Sequence, residues 1–188
     1  MIALRRNTIV IFATFFMMTV LVTTTHSILG IKSRCPTIWQ KSENDHVCVG
    51  SESNDHIDGS KSPDLILGVG GDDLLRGASD DDVLQGGADN DNMYGNDGND
   101  NMQGGPGLDR MYGGSGDDVI FGGFEDDFLV AGVGNDELYG GDGDDVLQGG
   151  SGTDYFDCGS GFDIVIDFDP QNGDSNANNC EDVIQSLS

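Results

Sequence analysis

The sequence predicts an all-β fold, a parallel β-solenoid of nine-residue units with two units to a coil, and three observations carry that prediction. From Gly50 the chain reads GSESNDHID, GSKSPDLIL, GVGGDDLLR and GASDDDVLQ, and continues in frame to CGSGFDIVI, giving thirteen units over residues 50–166 without a gap. Two columns of that frame have no exceptions. The sixth is always Asp (Asp55, Asp64, Asp73, Asp82, Asp91, Asp100, Asp109, Asp118, Asp127, Asp136, Asp145, Asp154 and Asp163), and the eighth is always apolar, from Ile57 and Ile66 to Phe156 and Val165. The third observation is glycine, which fills the first column in eleven units and the second and fourth columns in eight each. Self-similarity at a short fixed period marks a stacked architecture.

Each column has its own physical reason. One apolar residue in nine cannot make a helix face, which needs three or four in two turns, so column eight is the inward position of a short strand, with columns seven and nine outward. The glycines supply the positive φ values of a tight turn, where a Cβ is penalised. Each unit is therefore a turn followed by a strand. The next unit supplies the facing strand, so two units close a coil and thirteen make about six and a half coils.

The aspartates impose a condition on that stack. The chain carries 34 acidic residues against 8 basic ones, a formal net charge of −26, and only 36% apolar residues, too little to fold on hydrophobic burial alone. Coils about 4.8 Å apart place each sixth-column Asp beside its copies in the neighbouring coils. A ladder of like charges at that spacing needs a cation within it. Carboxylates and bare turn carbonyls are hard oxygen donors; calcium accepts six to eight such oxygens in forgiving geometry, whereas magnesium demands stricter octahedra and retains water. One ion in each coil-to-coil gap on each row of turns amounts to about eleven calcium sites, with all thirteen aspartates as candidate ligands. The same charge excludes nucleic acid and anionic membrane surfaces as partners, since both select for Lys/Arg clusters that are absent here.

The ends carry different signals. Arg5 and Arg6 precede the apolar run from Ile9 to Val22, and TTTHS follows, as in a signal peptide cleaved near Ser27. That run is short for a bilayer span, so an uncleaved anchor is the rival reading and the one route to a membrane. The expected organisation is a signal peptide over 1–27, an N-terminal cap over 28–49, the repeats over 50–166 and a C-terminal cap over 167–188. Cys35 and Cys48 precede the repeats, and Cys158 and Cys180 stand at their end; four cysteines in an exported chain suggest disulfides. Neighbour pairing would staple each end, and spacing alone leaves the other two connectivities open. Zinc is the weaker alternative, because no CxxC pair occurs. The tail from Asp167 departs from the frame and is expected to fold back as a loop over the last coil, with Val183 and Ile184 covering its apolar end. Asp167, Asp169 and Asp174 lack EF-hand spacing and are read as part of a solvated loop. The segment containing Trp39 caps the other end.

These units closely resemble the hemolysin-type calcium-binding repeat, the repeat-in-toxin (RTX) nonapeptide GGxGxDxUx, over 117 of the 188 residues. Gly86-Gly87, Gly104-Gly105, Gly113-Gly114, Gly140-Gly141 and Gly149-Gly150 match the family's turn best. The resemblance implies a right-handed parallel β-roll in which the sixth-column aspartates bind calcium together with turn carbonyls. Some units depart from the pattern. Ser51, Ser53, Ser60 and Ser62 stand in the first two units where the family prefers glycine, with Pro63 beside Ser62, and Asp80, Asp89 and Glu125 replace the fourth-column glycine. Weak or empty sites are therefore expected at the N-terminal end.

No HExxH, GxSxG or P-loop occurs, and His46 and His56, each in an NDH setting, lack a third orienting group. The expectation is a protein that is not an enzyme, with a secreted hydrolytic or polysaccharide-modifying enzyme as the least favoured reading. Tyr94 and Tyr112 should stack on one outer face and Phe121 and Tyr139 on the other. Such ladders bind glycans or partner proteins, or simply pack neighbouring strands. The sequence thus reads as a secreted, extracellular calcium-binding module that folds on extracellular calcium. The alternative is a surface adhesin or matrix protein that uses calcium to present a surface to cell-surface glycans or proteins.

Overall fold

A computed structural model describes residues 33–34, 46–176 and 179–185; the expected signal segment, Cys35 and Trp39 lie outside the described residues. The described chain is strand and turn throughout. Its strands are β1 (Ser33–Arg34), β2 (His46–Val49), β3 (His56–Asp58), β4 (Asp64–Gly70), β5 (Leu74–Ser79), β6 (Val83–Ala88), β7 (Asn92–Asp97), β8 (Asn101–Pro106), β9 (Arg110–Ser115), β10 (Val119–Phe124), β11 (Phe128–Val133), β12 (Glu137–Asp142), β13 (Val146–Ser151), β14 (Tyr155–Ser160), β15 (Ile164–Phe168), β16 (Ser175–Asn176) and β17 (Asp182–Gln185). Odd-numbered strands form one parallel sheet of nine and even-numbered strands another of eight, each in sequence order. This is the parallel β-solenoid of the β-roll type that the repeat predicts. The register steps by two units: Ile120 pairs with Leu138 on one side and with Met102 on the other.

The strands run longer than one apolar position suggests. Val83–Ala88 spans columns seven to nine and continues through columns one to three of the next unit, and its burial alternates, with Leu84 and Gly86 inward and Val83 and Gln85 outward. Asp82, just ahead of the strand, is also buried. The inward set is therefore columns six, eight and one, a period of two that carries through the turn into the strand. Column eight fills the space between the sheets, every member from Ile57 to Val165 being buried.

Glycine has two separate jobs here, where the sequence suggested one. In columns two and four it supplies positive φ: Gly105 has φ 122° and Gly107 φ 143°, and the fourth-column substitutes Asp80, Asp89 and Glu125 adopt φ 72°, 74° and 70°. Column one has no such conformation. Its glycines make room, because a Cβ at Gly104 would collide with Asp109 Oδ2 and lie 2.7 Å from the Gly122 carbonyl of the next coil.

The C-terminal tail differs from the expected loop. It adds a strand to each sheet: β17 restores the two-unit register, pairing Val183 with Val165, while β16 pairs Tyr155 with Ser175 after an insertion of two residues. Val183 packs against the core, and Ile184 points outward at 55% exposure. Cys158 and Cys180 form a disulfide, as neighbour pairing predicts, with Cα atoms 5.3 Å apart. Cys48 occupies column eight ahead of the first unit, opposite Ile66, and is disulfide-bonded as well. Its expected partner, Cys35, lies outside the described residues.

Candidate metal centre

The sixth-column aspartates sit where each turn meets its strand, one residue ahead of the strand except for Asp64, which opens β4, with their side chains aimed between the sheets. From Asp64 to Asp163 all twelve are buried, at 0–3% exposure; Asp55, in the first unit, is half-buried. From Asp73 to Asp163 each carboxylate links two coils. Its Oδ1 accepts the backbone N–H of the sixth-column Asp in the preceding coil, so Asp91 N–H donates to Asp109 Oδ1 at 2.8 Å and Asp109 N–H to Asp127 Oδ1 at 2.9 Å. Eleven such bonds, at 2.7 to 3.0 Å, make two continuous rails from Asp55 and Asp64 to Asp163 and Asp154.

The second oxygen is treated differently. In ten of these residues (Asp73, Asp82, Asp91, Asp100, Asp109, Asp118, Asp127, Asp136, Asp145 and Asp163) Oδ2 is buried with no hydrogen-bond partner. A buried carboxylate oxygen without donor or counter-charge is a costly arrangement. Backbone carbonyl oxygen lies on the same side: the place where a Cβ would project from Gly122 lies against both Asp127 Oδ2 and the Gly140 carbonyl. Burial accordingly pushes the carboxyls up, opposed by the accepted backbone N–H and reinforced by neighbouring carboxylates. Asp73, Asp100, Asp109, Asp136 and Asp145 rise to about 6, Asp82, Asp91 and Asp118 to about 7, and Asp127 to about 8. Asp154 and Asp163 shift in the same direction for the same reason.

This donor set fits a hard cation. Among the described residues no three His, Cys, Asp or Glu side chains converge, so an ion held here takes carboxylate oxygen from the rail and the rest of its shell from backbone carbonyls. That composition suits calcium and is unlike a zinc site. His46 is on β2 and His56 on β3, strands of different sheets, and His56 Nε2 is engaged by Arg76 at 2.6 Å.

Two features escaped the sequence reading. Column five is Asp or Asn in nine units, and in each of these the side-chain oxygen accepts the backbone N–H of column five in the following coil, as when Asn135 N–H donates to Asp117 Oδ1 at 2.8 Å. This outer rail runs opposite in direction to the inner one and is exposed. The inner rail also extends into the tail, where Asp174 Oδ1 accepts Asp154 N–H and Glu181 Oε2 accepts Asp163 N–H. Glu181 stands two units after Asp163, so its signal was present in the frame.

Stacked coils with buried carboxylates in register define a class of repeat solenoid whose turns are poised for cations. The chain matches the RTX calcium-binding nonapeptide repeat (4 copies) over residues 49–84, 67–102, 94–129, 103–138 and 130–165, and it belongs to that family, whose repeats bind calcium. No curated protein matches the chain.

Proposed function

We propose that the protein is an exported module that calcium folds, with the sixth-column aspartates as the carboxylate ligands in the turns. The observation that carries this reading is the set of ten buried, unpartnered Oδ2 atoms in register. Bound calcium supplies the positive charge that lets these carboxylates stay ionised inside the roll. The chain's own contribution is to hold the carboxylates on the rail, to clear space beside them with column-one glycine, and to turn backbone carbonyls toward them. Export is supported by the Cys158–Cys180 disulfide and by the basic-then-apolar N-terminal sequence. A protein exported through low-calcium cytosol would stay unfolded until it met extracellular calcium. The test is far-UV circular dichroism of residues 28–188 in chelator, then with calcium and with magnesium. The expected result is a disordered spectrum turned β-rich by calcium alone; a β-rich spectrum in chelator that calcium leaves unchanged would overturn the reading.

A second reading, glycan binding, rests on the outer face of the eight-stranded sheet. Phe121 and Tyr139 stack there at 4.5 Å and 13°, beside a shallow depression lined also by Asn101 and Gln103. Flat aromatic faces flanked by side-chain amides are the chemistry that receives a sugar ring. On the nine-stranded sheet Tyr94 and Tyr112 stack at 5.0 Å and 7°. A glycan array probed with and without calcium, comparing wild type with Tyr139→Ala, tests this surface role. Binding lost in both chelator and the variant supports it, and an array blank in calcium sinks it.

A further inference from the structure

The ten unpartnered carboxylates do not reach the N-terminal end of the column, and the reason is local. In the first two units the second oxygen has donors: Ser51 gives Asp55 Oδ2 both its backbone N–H, at 2.6 Å, and its hydroxyl, at 2.9 Å, and Ser60 N–H donates to Asp64 Oδ2 at 2.6 Å. The backbone differs at the same place. All eleven later column-two residues, Val69 to Gly159, have positive φ, as do all eleven later column-four residues, Gly71 to Gly161, whereas Ser51, Ser53, Ser60 and Ser62 do not. The serines thus build another kind of turn, in which Ser60 Oγ reaches Ser62 and the column-two amide closes on the carboxylate. The tail repeats the device with different residues: Asp174 Oδ2 accepts Asp169 N–H at 2.7 Å while its Oδ1 stays on the rail.

We propose that these end turns are self-capped, so that Ser51, Ser60 and the Asp169 amide stand where an ion would otherwise be needed, Asp55, Asp64 and Asp174 are not calcium ligands, and the ion-dependent column runs from Asp73 to Asp163. This rests on the calcium reading above and narrows it. It also has a physical motive. An ion between coils draws carboxylates from both sides, and one coil before Asp55 and Asp64 the sixth-column positions are Thr37 and His46, so these first turns need a cap that works without an ion. Ser51 and Ser60 are then the residues that decide which repeats take calcium.

The test counts bound calcium on the full chain, by metal analysis after gel filtration, in wild type, D55N/D64N and D118N/D127N. Wild-type stoichiometry in D55N/D64N with at least one ion lost in D118N/D127N is the expected result. Equal losses in both variants would overturn the inference while leaving calcium binding intact. A wild-type chain that holds no calcium would remove both. Hydrogen exchange of the calcium-loaded chain, with calcium then lowered stepwise, gives a second readout: the Ser51 and Ser60 amides should keep their protection at calcium levels where column-two amides near Gly105 and Gly114 have lost theirs. Loss of protection at the same calcium level would count against the self-capped turns.

Discussion

The inner and outer rails of each turn use the same bond and live under different physics. In both, an Asp or Asn side-chain oxygen accepts the backbone N–H of the equivalent residue one coil away, at 2.8 Å for Asp91 to Asp109 inside and for Asn135 to Asp117 outside. Outside, the remaining oxygen faces water. Inside, it is sealed beneath a column-one glycine with no donor in reach. An Asx ladder is therefore no sign of a metal by itself; burial turns one ladder into an ion site and leaves the other as a backbone clamp.

Asp127→Asn tests that contrast most strongly, because it keeps the rail bond and changes only the buried oxygen. In calcium it should weaken the fold by on the order of 3 kcal/mol, the cost of removing one partner from a buried charge pair. In calcium-free buffer the sign should invert. The buried charge is gone, so the variant should be more folded than wild type by about 1 kcal/mol or more. Paired denaturation curves with and without calcium measure both, and a variant destabilised equally in the two buffers would show that the buried oxygen is not an ion ligand.

The pH dependence of the calcium-free chain probes the same carboxylates without mutation. Their folded values, about 6 for Asp73 to about 8 for Asp127, lie above the ordinary carboxylate value near 4. Folding therefore takes up protons, and stability is fully present below about pH 4 and lost as pH rises through 6 to 8. Far-UV circular dichroism in calcium-free buffer should show β-structure growing from pH 8 down to pH 4, while calcium affinity falls over the same range as protons compete. Greater calcium-free order at pH 8 than at pH 5 would contradict the burial argument.

The inner rail was legible in the sequence because Asp in column six and an apolar residue in column eight admit no exceptions. What the sequence hid depended on knowing which way the aspartate points. Column-one glycine reads like the turn glycines beside it until Asp Oδ2 is placed under it. The Asx residues of column five stood in plain view, yet their meaning requires the coil-to-coil stack, since Asn135 and Asp117 are not local neighbours. Asp174 was concealed by the two-residue insertion that precedes β16, a shift that frame counting cannot cross. Ser51 and Ser60 were visible as departures, and only the backbone shows that they replace one turn with another.

Column one offers the next smaller effect. Gly104→Ala forces a methyl against Asp109 Oδ2 and the Gly122 carbonyl and should cost about 1–3 kcal/mol, with weaker calcium binding. Ala131 already carries such a methyl in this column, buried at 1%, so Ala131→Gly should shift calcium affinity the opposite way, upward. Calcium titrations of the two variants check the pair; a shift in the same direction for both would mean that space beside the carboxylate does not control the site.

The smallest effect is expected from Asp117→Asn, which is the same chemical change as Asp127→Asn made on the outer rail. The amide oxygen of the variant side chain would still accept from the Asn135 backbone N–H, and the carboxylate oxygen lost in the change was hydrated rather than stranded. Surface changes of this kind fall within about ±0.5 kcal/mol, and here the value should be the same with and without calcium. A calcium-dependent loss as large as that of Asp127→Asn would place the outer carboxylates in the ion shell and make the two rails one site, whereas a small constant effect isolates burial as the property that makes an aspartate in this turn a ligand.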